Sequence, residues 1–559
     1  MQQILRIVMG AFKRLWELVL LDRKEIGAVY FYAILSGLLQ LSVPIGVQSI
    51  ISFVLGASMV TSIYVLIFLV VLGVFVVGLI QINQMRIIEK IKQRIFTRDA
   101  FDFAEVIPRL DLAKSDAHYL PERVNYFFDT LNVQKGLSKL LLDVPVASIQ
   151  ILFGLLLLSL YHPIFIIFGF LLITVLWLIL KVTLNSGLET SLQESSNKYA
   201  VVVWLEEMAR VIKSFKFSQG SHLNLQKTDE RVGQYLESST AHFRVLLFQY
   251  KTLVAFKVAI TAVMLVLGSY LLLNQQLNIG EFIAAEIVIL TVINAVEKLI
   301  IRLDSIYDVV TGLEKLALIK ESPLEKEGQV QLDTKGEGLE IEFADLSFTY
   351  QNGKPILRNL NFTIPANASV CIMANEGSGR STLLKLLTGN YSNFNGSLLV
   401  NKLPINAYQL QSLRAHIGIH LNQQDIFLGS VWENISMGRP EITQEKIMAI
   451  AHQLGIGHFL NQLPGGFESQ LDPTGKKLPS TQVKYLLLLR AFVNDPNLLL
   501  LEEPWQGMDQ SFKQQLIGFL LDKSRKSTLL LVSNDEDFAA KCDFRLYLEN
   551  GNAKLIRNK

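Results

Sequence analysis

Cysteine is nearly absent from this chain. There are two, Cys371 and Cys542, in 559 residues, and they have no metal-ligand spacing, which excludes a disulfide framework and a zinc module. Charge is scarce as well, at 18% of residues, and the 52 basic and 50 acidic side chains nearly cancel. The resulting net charge of +2 says nothing about nucleic acid, and no nucleic-acid partner is expected. The scarcity is also uneven. No Asp, Glu, Lys or Arg occurs from Ile26 to Met85, nor again from Val144 to Leu180. Each gap is long enough for two helices of about 20 residues, the length that crosses a bilayer's hydrocarbon layer. Buried helices of a soluble core seldom run that far without a charge, so a soluble single-core protein is excluded, and the length calls for more than one domain.

Six apolar runs are present, at about residues 25–53, 59–82, 139–161, 163–184, 247–273 and 279–303, with His162 and Pro163 breaking the third from the fourth. The connections near "GAS", "YHP" and "NQQLN" are short and uncharged, whereas Arg86–Lys139 and Lys181–Lys251 are long and rich in Lys and Arg. The positive-inside rule puts the long loops and both termini in the cytosol. Residues 1–24 alternate apolar stretches with Arg6, Lys13 and Arg14, the pattern of an interfacial elbow helix and not of a cleaved signal peptide. The domain reading is therefore an elbow at 1–24, a transmembrane domain at 25–318, a polar linker at 319–338 and an α/β domain at 339–559. Within the spans, Lys257 and Glu297 fall at similar depth, so pairing is expected, and Glu286 lies nearer the outer side, where it would line a cavity.

In the last domain, short β-rich runs such as "SVCIMAN" and "TLLLVSN" alternate with helical stretches. Between the strand "SVCIMAN" and the helix "STLLKLLTG" lie Ala374, Asn375, Glu376, Gly377, Ser378, Gly379, Arg380 and Ser381. This is the spacing of a phosphate-binding loop, G-x-x-x-x-G-K-[ST], which places backbone N–H groups and a helix N-terminus around phosphates. The first Gly is Ala374 and the Lys is Arg380.

Further landmarks follow in order, and with them the chain resembles a half-transporter of the ATP-binding cassette exporter family, the type I (haemolysin-like) secretion ATPases being the nearest flavour. The resemblance implies a six-helix transmembrane domain followed by an α/β P-loop NTPase cassette, with ATP and Mg²⁺ as cofactors. It assigns Tyr350 of "FTY" to stacking on adenine. Ser381 and Thr382 are assigned to the metal and the α-phosphate, and Gln423 to the Mg²⁺ and water contact, with Asn422 and Gln424 as alternative registers. "LPSTQ", that is Leu478, Pro479, Ser480, Thr481 and Gln482, stands where the family writes LSGGQ. In "LLLLEEP" the metal carboxylate is Glu502 and the general base Glu503. Asp509 ends the D-loop, and Asn534 takes the switch histidine's place.

The departures weaken the expected chemistry. Arg380 keeps a positive charge, but its planar fork is wider than an ammonium. Glu376 puts a carboxylate inside the phosphate loop, where it is expected to pair with Arg380 and compete with nucleotide. Glu502 is one methylene longer than the family's Asp, and Mg²⁺ tolerates little deviation from octahedral geometry. Pro479 has neither the hydroxyl nor the N–H of the signature Ser, although it suits a first helical turn. A helix cap without nucleotide role is the competing reading of "LPSTQ". Asn534 cannot carry a proton or a charge.

The expected function is thus a subunit of an exporter moving a peptide, protein or lipid-like cargo out of the cytosol, binding ATP and hydrolysing it poorly. The alternative is a catalytically silent half serving a consensus partner. Cassettes of this family dimerise head to tail, so a homodimer would combine Arg380 with "LPSTQ" at both sites. A heterodimer leaves each site one sound half and is favoured. The short outer connections leave a periplasmic adaptor open.

Overall fold

The computed structural model describes residues 2–55, 61–115, 119–218, 221–350, 353–422, 425–472 and 478–558. The connection "GAS" and Gln423 and Gln424 therefore lie outside the described residues. The chain forms two compact units, Met1–Pro108 with Tyr119–Ser322, and Arg109–His118 with Pro323–Lys559.

The first unit is helical, built from α1 (Gln2–Leu21), α2 (Arg23–Gln40), α3 (Ser42–Leu55), α4 (Thr61–Val106), α5 (Asp129–Tyr161), α6 (Ile164–Arg210), α7 (Leu223–Leu273), α8 (Ile279–Ile301) and α9 (Leu303–Lys320). Six of its helical stretches are long and apolar enough to cross a membrane, which makes this a multi-pass membrane protein. At about 1.5 Å per residue, the 46 residues of α4 and the 51 of α7 run well past a 30 Å hydrocarbon layer. The first span, expected as one helix, is interrupted at Leu41. The cause is Pro44, whose ring would collide with the carbonyl of Gln40 four residues back. Small residues set how closely the helices approach: a Cβ on Gly154 of α5 would come within 2.5 Å of Val292 of α8. The expected Lys257–Glu297 pair forms, at 3.0 Å, and Glu286 is half-buried with no charged partner among the described residues. The elbow helix α1 is held against α9 by Arg14, which pairs with Glu314 at 2.5 Å and Glu321 at 2.6 Å.

The second unit contains two larger sheets. Strands β1 (Ile341–Thr349), β2 (Pro355–Ile364), β4 (Asn395–Val400) and β5 (Leu403–Pro404) form an antiparallel sheet in the order β2-β1-β4-β5. The other consists of β3 (Ser369–Ala374), β6 (Ile417–His420), β7 (Leu498–Glu502), β8 (Thr528–Val532), β9 (Phe544–Glu549) and β10 (Asn552–Arg557), in the order β10-β9-β3-β8-β7-β6. It is parallel except for the edge pair β9–β10. The central strands read as continuous apolar runs because both faces are covered. Leu498, Leu500, Leu530 and Val532 pack with α10 (Arg380–Leu387) on one face. Leu499, Leu501, Leu529 and Leu531 pack on the other against α11 (Ser480–Phe492) and α12 (Gln510–Leu520). The polar stretch read as a linker is pinned to this unit: Asp111 donates to the Pro323 carbonyl at 3.0 Å, and Glu325 to that of Arg109 at 2.9 Å. The carboxyl ends of β3, β7 and β8 lie side by side and define a crevice, the usual ligand position in such a sheet.

Candidate functional site

The first wall of this crevice is the loop between β3 and α10. Gly377 (φ 78°) and Gly379 (φ 99°) both adopt left-handed conformations, which a side chain resists. They let the chain turn tightly into the N-terminus of α10, with Ser378 folding back onto the Asn375 carbonyl at 2.7 Å. Loop N–H groups and the helix end together suit an anion. Thr382, nearly buried, shares a hydrogen bond of 3.1 Å with the Tyr350 hydroxyl. The Tyr350 ring stands edge-on to Phe348 and Tyr391, with centroids 4.9 Å and 5.4 Å away.

The second wall is the acidic pair at the end of β7. Glu502 is 3% exposed, accepts a 2.6 Å hydrogen bond from the Ser381 hydroxyl and a 3.4 Å one from the Asn422 backbone N–H. Arg380 turns toward this pair, with Nε 3.5 Å from Glu502 and Nη1 3.9 Å from Glu503. The expected partnership with Glu376 is minor. Their closest approach is 4.0 Å, and the Glu376 side chain is 95% exposed. A desolvated carboxylate holds a guanidinium more firmly than one screened by water, so Glu502 and Glu503 outweigh Glu376 as partners of Arg380. Burial pushes the Glu503 carboxyl above the usual range, and Arg380 partly offsets that rise. Glu503 sits at φ 43°, with its N–H on the Val532 carbonyl and its Oε2 accepting from Ser533 at 3.4 Å.

Asn534 does something the sequence did not suggest. Its Oδ1 accepts from the Ala374 N–H at 3.1 Å and its Nδ2 donates to the Ala374 carbonyl at 3.3 Å. The amide thus clamps the strand end from which the phosphate loop springs, a two-sided grip that needs a donor and an acceptor on one planar group.

Pro479 is the N-cap of α11 without a side-chain cap, so the helix survives, as its first-turn tolerance implied. Its carbonyl takes the N–H groups of Gln482 and Val483. Ser480 is exposed, Leu478, Thr481 and Gln482 are half-buried, and Leu478 packs against the core. Asp509 caps α12, accepting from the Phe512 N–H at 2.8 Å. Gln423 cannot be placed, being outside the described residues, whereas Asn422 stands beside Glu502. Two further residues escaped the sequence reading. Lys484, on the helix that follows the signature, donates to the Gln506 carbonyl at 2.5 Å. His420 ends β6, is 2% exposed, and neither ring nitrogen has a hydrogen-bond partner among the described residues. Burial pushes its imidazole down to about 4, so it is neutral at pH 7. A lone His in an apolar strand, three residues before Gln423, was the available signal.

The oxygen donors present suit Mg²⁺ shared with phosphates: a hydroxyl and a carboxylate 2.6 Å apart, Ser381 and Glu502. No cluster of three or more His, Cys, Asp or Glu able to hold a metal by itself occurs among the described residues.

Residues 357–506 match the family model described as ABC transporter. The chain is 25% identical over 296 residues to the uncharacterized ABC transporter ATP-binding protein YknV of Bacillus subtilis, covering 52% of this chain and 48% of that protein. It is 31% identical over 214 residues to multidrug resistance protein homolog 65 of Drosophila melanogaster, covering 38% and 16%. It is 27% identical over 217 residues to the mitochondrial iron-sulfur clusters transporter ATM1 of Saccharomyces cerevisiae, covering 38% and 31%. The matches span less than half the length of each of these relatives. Among solved structures, a bacterial Atm1-family ABC exporter with ATP bound superposes with a TM-score of 0.85 at 16% identity, over 95% of this chain and 94% of that one. Residues 357–506 are thus similar to the ABC transporter family, and the chain has the fold of the bacterial Atm1-family ABC exporter.

Proposed function

We propose that this chain is one half of an exporter in the inner or plasma membrane, with both termini and the cassette in the cytosol. It binds ATP and hydrolyses it slowly, while a peptide, protein or lipid-like cargo moves outward. The six spans and the exporter fold support transport. The resemblance to type I secretion ATPases, and with it a periplasmic adaptor, belongs to this reading.

The observation that carries slow hydrolysis is the position of Arg380, whose guanidinium faces Glu502 at 3.5 Å and Glu503 at 3.9 Å. A cation there competes for the carboxylate that would hold Mg²⁺. Bound Mg²⁺ supplies neutralisation of the phosphate oxygens. The chain's own groups do the rest: Tyr350 orients the adenine, the loop N–H groups and the N-terminus of α10 bind phosphate, and Ser381 and Glu502 hold the metal. The Mg²⁺ and water contact falls to Gln423, with Asn422 and Gln424 as the alternative registers, and Glu503 takes the proton of the attacking water. Positioning and charge stabilisation dominate phosphoryl transfer, so weakened elements multiply. If Arg380, Glu502, Pro479 and Asn534 each cost about 1.4 kcal/mol, about tenfold apiece, about one part in ten thousand of the rate remains.

The silent half in a heterodimer is the second reading, favoured by Pro479, which offers no hydroxyl or N–H at the start of α11 to a partner's nucleotide. The test compares ATP hydrolysis by the purified chain and its Glu503→Gln form in one membrane mimic. Slow turnover removed by the substitution supports the first reading, and no turnover in either supports the second. Turnover at several per second, lost in Glu503→Gln, refutes both.

A further inference from the structure

Glu503, just past β7, has φ 43°, a left-handed conformation that a residue with a Cβ resists and that persists only where its surroundings enforce it. Its N–H is held by the Val532 carbonyl at 2.9 Å. The chain then leaves through Pro504 and closes a four-residue turn, in which the Gln506 N–H donates to the Glu503 carbonyl at 3.1 Å. A second turn follows at once, with the Met508 N–H on the Trp505 carbonyl at 3.0 Å and Gly507 at φ 76°.

Two side chains brace these turns. One belongs to them: Trp505, 8% exposed, sets its ring edge-on to Phe538 with centroids 5.0 Å apart, which anchors the turn in the core. The other comes from a different element. Lys484, on the second turn of α11, donates from Nζ to the Gln506 carbonyl at 2.5 Å. A hydrogen bond from an ammonium is stronger than one between neutral groups. The residue whose N–H closes the turn on Glu503 is thus gripped through its own carbonyl. Lys484 is half-buried and has no carboxylate at ion-pair distance among the described residues, so this carbonyl is its partner. Burial pushes its ammonium below the ordinary lysine value, and the Glu503 carboxylate opposes that fall, which puts the two charges within each other's field.

We propose that Lys484 is a positioning residue for Glu503: by gripping the Gln506 carbonyl it fixes the turn that keeps the carboxylate in the crevice beside Arg380 and Ser533. The proposal rests on the reading of Glu503 as the general base. A base works only within hydrogen-bond reach of the proton it takes, so its aim is part of its chemistry. Lys484 acts through the turn and takes no part in the proton transfer itself.

The test is carboxyl labelling of the full chain in nanodiscs with a carbodiimide and glycine ethyl ester, read at Glu503 by mass spectrometry, with ATP turnover measured on the same samples. Lys484→Met removes the ammonium and keeps a helix-forming side chain. It should speed labelling of Glu503 about fivefold, the scale of one lost hydrogen bond. Asp543, a half-buried acid that accepts from the Ser369 N–H at 2.9 Å at the opposite end of β3, should label as in the wild type. Lys484→Arg, which can still donate to the carbonyl, should keep the wild-type rate at Glu503. In turnover, Lys484→Met should lower kcat about fivefold and leave KM unchanged, a split that general loosening of the cassette would not give. Unchanged labelling of Glu503 in Lys484→Met overturns the proposal, and so does a rise shared by Asp543, a change in KM alone, or Lys484→Arg behaving as Lys484→Met does. A wild type without turnover would refute slow hydrolysis by this chain, and the labelling would still decide what holds Glu503.

Discussion

Acidification should loosen the cassette through one residue. His420 titrates near 6.5 when unfolded and at about 4 when folded. Above pH 7 it is neutral in both states and contributes nothing to pH dependence. As pH falls through 6.5 the unfolded chain takes up a proton that the folded chain refuses, so stability drops, and the loss levels off below about 4. Integrating the two titrations from pH 7.5 to 5 gives about 2 kcal/mol. The structural cause is direct: the ring is 2% exposed, both nitrogens lack partners among the described residues, and the nearby Lys484 ammonium opposes a second positive charge. The perturbation is His420→Leu, which fills the volume without the two orphaned nitrogens and should be at least as stable as the wild type at pH 7.5. Hydrogen exchange on the full chain in nanodiscs, followed in peptides covering β6, β7 and β8 and corrected for intrinsic rates, reads the opening free energy at both pH values. Wild type should lose about 2 kcal/mol more than the variant on acidification. Equal losses in the two proteins would refute the reasoning, since every other titrating group is common to both.

The acid limb of ATP hydrolysis should lie above the ordinary glutamate range, because burial raises Glu503 and the base must be ionised to work; Arg380→Ala removes the charge that holds it down, so the limb in a pH–rate profile should move to higher pH. Glu376→Asn should change ATP affinity less than about twofold in a fluorescent-nucleotide titration, since that carboxylate is 95% exposed and screened. Asn534→Ala strips both hydrogen bonds from the Ala374 peptide, leaving a buried donor and acceptor unpaired at the root of the loop. A penalty of about 1–3 kcal/mol follows, seen as a lower melting temperature of the cassette and about tenfold weaker ATP binding.

The sequence alone determined the architecture. The uncharged stretches from Ile26 to Met85 and from Val144 to Leu180 are what helices in lipid require and soluble cores seldom contain, and the strand, Gly377–Gly379 turn and helix of the phosphate loop are set by local chemistry. The departures at Arg380, Pro479, Glu502 and Asn534 were legible too, because a residue type is a local fact. Where those side chains point was not, since direction depends on what distant segments bring near. Arg380 was read against Glu376, four residues away in the chain, yet it turns to Glu502 and Glu503, which the parallel pairing of β3, β8 and β7 delivers from more than a hundred positions onward. In the same way Asn534 became a clamp on Ala374 only because β8 lies next to β3. Sequence fixes which groups exist and their local conformation; the packing of β-strands and helices far apart in the chain decides which charges are desolvated together, and that decides what each group can bind.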